Sequence, residues 1–264
     1  MSDDAVLVEK GGAVWVVTIN RPHVRNAVDG PTAELLDAAF ADFEADESAS
    51  VAILTGAAGT FCAGADLKGV ADGRGNRVEQ HPPEDMVNSF GPMGPSRRVL
   101  SKPCIAAVEG HAVAGGIELA VWCDLRVAAR DAVFGVFCRR WGVPLVDGGT
   151  IRLSRLIGHS RALDMILTGR GVSGDEALTY GLAKRLTEPG EALAGARELA
   201  GQLAALPQNC MRSDRLSSYE QWGTDLGTAL ARETELGWAT IESGETLAGA
   251  SRFAAGEGRH GAPA

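Results

Sequence analysis

Gly59-Thr60-Phe61-Cys62-Ala63-Gly64-Ala65-Asp66-Leu67 and Gly110-His111-Ala112-Val113-Ala114-Gly115-Gly116-Ile117-Glu118-Leu119-Ala120 are the two stretches on which the reading of this chain turns. Each follows a short apolar run, Val51–Thr55 before the first and Cys104–Val108 before the second. Runs of this length, bounded by glycine and rich in β-branched residues, predict buried strands. Small residues after a strand let a ligand approach the backbone closely. Where such a loop opens a helix, free N–H groups point outward and the helix dipole favours negative charge. Two amides from separate loops make an oxyanion hole if they converge on one oxygen. Taken singly, a glycine pair after a strand is more often tight packing than a catalytic site.

Outward from these loops, strand and helix signals alternate. Ala13–Ile19 is a β-rich run after Gly11-Gly12, and Leu125–Ala129 is a further apolar strand. Residues 31–44 predict a helix with Pro31 in its first turn and Leu35, Leu36, Ala39, Phe40 and Phe43 on one face. Apolar strands separated by helices imply an α/β fold whose sheet is covered on both faces. Residues 70–96 are rich in Gly, Pro, Asn and charge. A segment of that length predicts weak order and a place at the mouth of a site. From about residue 147 the pattern is helical. Ser173-Gly174-Asp175-Glu176 forms a capping box, Pro207 breaks a helix over 190–205, and residues 223–255 predict one or two more helices.

The bulk numbers set limits. At 264 residues the chain fits one large domain, or one domain with a short appended region, and a core of that size needs no disulfide or metal. Five cysteines at wide spacing form no C-x-x-C pair, which argues against a disulfide framework and a zinc site. No His/Cys/Asp cluster has metal-ligand spacing, so no metal is expected. A net charge of −9 gives no basic footprint for nucleic acid. No apolar run is long enough for a membrane span, and the acidic start MSDDAVLVEK lacks the features of a signal peptide. A cytoplasmic location is therefore expected.

The two loops together resemble the crotonase (enoyl-CoA hydratase/isomerase) family. The likeness begins at Asn20-Arg21-Pro22 with Asn26-Ala27 and runs through Phe61–Lys68 and Gly110–Ala120. It continues through Phe134-Gly135, Gly148-Gly149-Thr150, Arg155–Gly158 and Leu167–Arg170, so it spans nearly the whole chain. It implies a spiral of ββα turns over residues 1–195 and a C-terminal helical trimerisation region over 196–264, assembled as a homotrimer or hexamer. It also implies an acyl-CoA thioester as ligand, with no cofactor beyond that coenzyme A and neither nucleic acid nor membrane as partner. The family's oxyanion donors fall on the amides of Ala65 and Gly115. Ala63, Asp66, Leu67 and Cys138 fall in its substrate-binding segments. Arg25 and Lys68 match its regions for the adenine and 3′-phosphate, and Phe253 and Arg259 match a segment that lends contacts to a neighbouring subunit.

The acid–base residues select the reaction. Glu118 matches one of two glutamates that the family's hydratases use; otherwise it is a first-turn acid complementing a helix dipole. The second glutamate's position holds Cys138. That thiol is either packing beside Phe137, a shaper of the pocket, or a weak acid in its own right. Asp147, nine residues on, either replaces the missing carboxylate or caps the next helix. The resemblance thus implies hydratase-type addition of water across a 2-enoyl-CoA. A one-base reaction such as enoyl-CoA isomerisation is the alternative. Two other classes stay open: a non-catalytic acyl-CoA-binding protein, and RNA binding, which the net charge opposes.

Overall fold

The apolar runs become a sheet in which side chains are covered on both faces. The computed structural model describes residues 4–257. In chain order its elements are β1 (Val6–Gly11), β2 (Val14–Ile19), α1 (Gly30–Ala45), β3 (Val51–Gly56), α2 (Leu67–Ala71), α3 (Pro83–Met86), β4 (Cys104–Val108), β5 (His111–Val113), α4 (Gly115–Trp122), β6 (Leu125–Ala129), β7 (Val133–Gly135), α5 (Gly149–Ile157), α6 (His159–Thr168), β8 (Gly171–Ser173), α7 (Gly174–Tyr180), β9 (Arg185–Thr187) and α8 (Ala192–Ala204). Three further helices follow: α9 (Gln208–Glu220), α10 (Leu226–Glu242) and α11 (Glu245–Ala255). Two compact units result, one ending at Leu203 and the other starting at Ala204. The boundary lies at the end of α8, whereas a division at 195/196 would cut that helix.

In the first unit a six-stranded sheet has the order β1-β2-β3-β4-β6-β9, parallel apart from the β1–β2 hairpin. A smaller sheet, β5-β7-β8, lies alongside in the same winding. Isolated bridges Val28↔Ala65 and Cys62↔Ala112 extend that second layer. Each turn of chain therefore adds a strand to the large sheet, a short segment to the small layer, and then helix. This is the spiral of ββα turns that the resemblance implies. Val51, Ala52, Ile53, Leu54, Ile105, Ala106, Ala107 and Val108 are all fully buried, as strands covered on both faces require.

Helix α1 starts where Asp29 accepts the Thr32 N–H at 3.1 Å. Its last turn ends on the buried Lys102, whose Nζ donates to the carbonyls of Phe43 and Asp46 at 2.8 and 2.7 Å. Leu36, Ala39, Phe40 and Phe43 pack inward. Leu35 is 48% exposed, because one residue from Leu36 is about 100° of helix. Residues 70–96 are tied down more firmly than their composition predicts. The Arg74 carbonyl accepts from Gly30 N at 3.0 Å, and the Asn76 amide donates to the Pro92 carbonyl at 2.8 Å. Past residue 147 the three-residue strands β8 and β9 interrupt the helices; runs so short show no period in sequence. Ser173 caps α7 through Glu176 N–H as expected, but the Glu176 carboxylate bonds Arg170 instead of closing the box.

In the second unit α9 and α10 pack side by side. Ser213 and Thr240 hydroxyls meet at 2.9 Å, and the Glu245 carboxylate accepts the Asn209 and Cys210 N–H groups at 3.2 and 2.7 Å. No helix among the described residues is long and apolar enough to cross a membrane.

Candidate active site

The loop after β3 satisfies its amides one by one. Phe61 N donates to the Glu109 carbonyl, Cys62 N to His111, Ala63 N to Arg25 and Asp66 N to Val28, all within 3.1 Å. Gly64 N reaches the Cys62 sulfur at 3.3 Å. The bridge to Val28 uses the Gly64 carbonyl and the Asp66 amide, so the Ala65 N–H points away from it. Between Phe61 and Asp66, Ala65 alone has no protein acceptor among the described residues.

The second loop runs parallel to the first. Cys62 pairs with Ala112, so three residues further along each chain Ala65 comes beside Gly115. A Cβ added to Gly64 would stand 2.8 Å from Gly115 N and 2.7 Å from the Ala114 Cβ, which measures how closely the loops approach. Ala114 still donates to the Gly135 carbonyl at 2.9 Å. Its backbone then turns sharply, at φ 54° and ψ −126°, a region that costs a non-glycine residue about 1–3 kcal/mol. The turn takes the Gly115 N–H out of the β-ladder and makes it the first amide of α4, with no intrahelical acceptor. Both orphan amides thus sit on adjacent parallel loops.

A cavity of about 460 Å³ opens over them. Ala63, Ala65, Leu67, Val113, Ala114 and Gly115 line one side, and Phe137, Cys138, Trp141, Val143 and Val146 line another. Glu118 and Asp147 are its charged lining residues, both buried. Helix α4 carries Glu118 inward. Its Oε1 accepts the Asp147 N–H at 2.9 Å and the Gly149 N–H at 2.8 Å, and the Val146 amide also favours its ionised form. Burial, and next the negative charge of Asp147, push the Glu118 carboxyl up to about 7. Asp147 does not cap α5, whose N-cap is Gly148 with no side-chain bond. Its Oδ1 accepts instead from Met93 N at 2.9 Å and from the Ser96 hydroxyl. Burial raises the Asp147 carboxyl, while Ser96, the Met93 amide, Arg97 and Arg152 pull it back. Cys138 is a buried part of the cavity wall, and burial and the Glu118 charge push its thiol up, so it stays neutral.

A model of the enoyl-CoA hydratase/isomerase family matches residues 9–257. The chain belongs to that family. It is 36% identical to the enoyl-CoA hydratase EchA19 of Mycobacterium tuberculosis, over 94% of this chain and 92% of that one. It is 37% identical to a short-chain-enoyl-CoA hydratase of Clostridium acetobutylicum, over 87% of each. The crystal structure of enoyl-CoA hydratase EchA1 from Mycobacterium marinum superposes with a TM-score of 0.86 at 37% identity, covering 95% of each chain.

Several residues that the family likeness marked lie elsewhere. Asp66 does not line the cavity: its carboxylate caps α2 through Gly69 N at 3.1 Å and pairs with the buried Arg21 at 3.0 Å, which also holds Asp29. Arg25 and Lys68 are exposed and outside the cavity wall; Arg25 acts on the loop through its carbonyl, which holds Ala63 N. Phe253 lies exposed on α11 in the second unit, and Arg259 falls outside the described residues. The family motif Asn20-Arg21-Pro22 with Asn26 is a brace: Asn26 donates to the Ala57 and Thr60 carbonyls and accepts the Arg21 N–H. Met93 and Ser96, which anchor Asp147, carry no signal in the sequence beyond lying in the odd segment 70–96.

Proposed function

We propose that this family member hydrates a 2-enoyl-CoA thioester. The observation that carries the reading is the pair of orphan amides, Ala65 and Gly115, on adjacent parallel loops beside two buried carboxyl groups. The thioester oxygen gains charge as water adds to the β-carbon, and these amides receive that charge without reorganising. The two carboxyls share one proton near neutrality. Both are raised by burial, and against it Asp147 has a hydroxyl, an amide and the guanidinium groups of Arg97 and Arg152. Glu118 has three backbone amides and also meets the Asp147 charge, and burial with that charge pushes it up to about 7. The proton therefore rests on Glu118. Asp147 takes a proton from the attacking water, and Glu118 delivers one to the α-carbon. The apolar remainder of the cavity receives an uncharged acyl chain, with exposed Arg25 and Lys68 available to the coenzyme's phosphates. Cys138 contributes a neutral wall, and Asp147 supplies the carboxylate that this position does not.

The direct test is turnover of crotonyl-CoA, followed as loss of the enoyl thioester absorbance with water incorporated at the β-carbon. Conversion of a 3-enoyl-CoA to its 2-enoyl isomer without hydration would instead establish the isomerase reading. Tight acyl-CoA binding with no turnover would establish a binding protein.

We also propose self-association as a homotrimer, or a hexamer made from two. Support comes from the apolar side chains that α10 and α11 expose, Leu226 at 74%, Trp238 at 59% and Leu247 at 73%. Light scattering should return three or six chain masses, and a monomer mass would reject the assembly. The five free thiols fit the reducing cytoplasm.

A further inference from the structure

Ser96 takes no part in the family motifs and is wholly buried. It lies in the turn that runs from Gly91 through a 3₁₀ helix at Pro95–Arg97, closed by reciprocal Gly91–Gly94 backbone bonds of 2.8 and 2.9 Å. Its hydroxyl and the Met93 N–H converge on one oxygen of Asp147. Arg152, which closes the first turn of α5, ties the same two partners from behind. One guanidinium nitrogen donates to the Asp147 carbonyl and the other to the Ser96 carbonyl, each at 2.8 Å. Space for the hydroxyl exists because residue 91 is glycine: a Cβ there would lie 2.0 Å from Ser96 Oγ. The same turn reaches the oxyanion amide, since a Cβ on Gly115 would strike the Met93 sulfur at 2.7 Å.

We infer that Ser96, backed by Arg152, is the positioning residue that holds Asp147 as an aimed, ionised carboxylate beside the oxyanion amides. This rests on the hydration reading, in which Asp147 accepts the proton of water. Two donors fix Oδ1, so Oδ2 is the oxygen left for that water. A carboxylate in a buried site keeps its charge only while donors and cations face it. The groups facing Asp147 are Ser96 and Met93 from this turn, Arg97 beside them, Arg152 from α5, and Glu118 from α4, with Cys138 across the same cavity. Glu118 opposes ionisation; the hydroxyl, the amide and the two guanidinium groups favour it. Removing the hydroxyl therefore shifts the balance toward the protonated acid without touching the substrate's path.

Ser96→Ala should lower kcat about tenfold or more on the acid limb of the pH profile while KM changes less than twofold. The acid limb of its kcat profile should move up by about one to two pH units, the worth of one hydrogen bond to a charged acceptor. Loss of kcat by the same factor at every pH, with the limb unmoved, would overturn the proposal and leave Ser96 a packing residue. Unchanged kcat on that limb would overturn it as well. A second readout needs no turnover and so separates this proposal from the hydration reading. Raising the folded-state pKa of Asp147 costs stability as pH rises, so the melting temperature of Ser96→Ala should fall below wild type more at pH 8 than at pH 4. Equal deficits at both pH values would show that the hydroxyl does not support the charge. If crotonyl-CoA is not turned over but the pH 8 deficit is present, the hydration reading fails and the charge-holding role stands.

Discussion

Glu118→Gln is expected to lower kcat for crotonyl-CoA hydration by about 10²–10⁴-fold, the usual worth of a positioned proton donor, with KM changed little. Gln Oε1 still accepts the Asp147 and Gly149 amides, so the loop around residues 147–149 keeps its anchor and the loss falls on chemistry. Asp147→Asn should cost a comparable factor by removing the base. The pH profile tells the two roles apart. With the proton resting on Glu118 and its carboxyl pushed up to about 7, wild-type activity should decline above neutrality as Glu118 ionises, and fall again in acid as Asp147 protonates. Both limbs belong to the coupled pair. Activity that rises through pH 7 would place the base on Glu118 and the acid on Asp147. Stability moves with the same groups. Below pH 4.5 Glu118 is protonated folded or unfolded, and nothing is lost. Between 4.5 and about 7 the folded chain keeps a proton that the unfolded chain releases, so stability declines as pH rises, by on the order of 3 kcal/mol in all. Glu118→Gln escapes that decline. It should melt above wild type at pH 8 and close to it at pH 4, which calorimetry at the two pH values would check.

Much of the spiral was legible because its strands advertise themselves. Val51–Gly56 and Cys104–Val108 are continuous apolar runs, as strands buried on both faces must be. β1 was not legible: Val6–Gly11 is a largely exposed edge strand whose Glu9 and Lys10 hide the pattern. Ala65, Gly115 and Glu118 could be placed because loop and helix start are local features. The surroundings of Asp147 could not. Its partners Met93 and Ser96 are 54 and 51 residues away, in a segment whose composition reads as loosely held. For the same reason the residues alone support an N-cap and catalysis equally for Asp147, although α5 opens on a bare glycine. Asp66 shows the opposite failure. The family likeness marks it as a substrate contact, yet its side chain is taken by its own helix and by Arg21, 45 residues upstream. Sequence likeness marks a position, and the rotamer decides which cavity it serves.

Gly64→Ala should lower kcat by about 10²–10³-fold, the cost of losing one oxyanion donor. Gly64 sits at φ +97°, which L side chains rarely adopt, and its added Cβ would come within 2.8 Å of Gly115 N. Neither neighbour can yield cheaply. Ala114 is already held at φ 54°, and Gly115 begins the helix that carries Glu118. Relief comes only by spreading the two loops, which pulls the Ala65 and Gly115 amides away from a shared oxygen. Gly115→Ala is a sharper comparison than a distant control. Its Cβ meets the flexible end of the Met93 side chain, at 2.7 Å from sulfur, so the side chain can turn aside while the backbone stays in place. A much smaller loss is expected there than at Gly64. Binding of saturated butanoyl-CoA measures what the hole contributes to the ground state, and it should weaken far less than kcat falls, because the amides meet full negative charge only as the enolate forms. Equal losses in kcat and in butanoyl-CoA affinity would mean that the loops only grip the thioester. Undiminished turnover in Gly64→Ala would mean that the two amides never converge on the reacting oxygen at all.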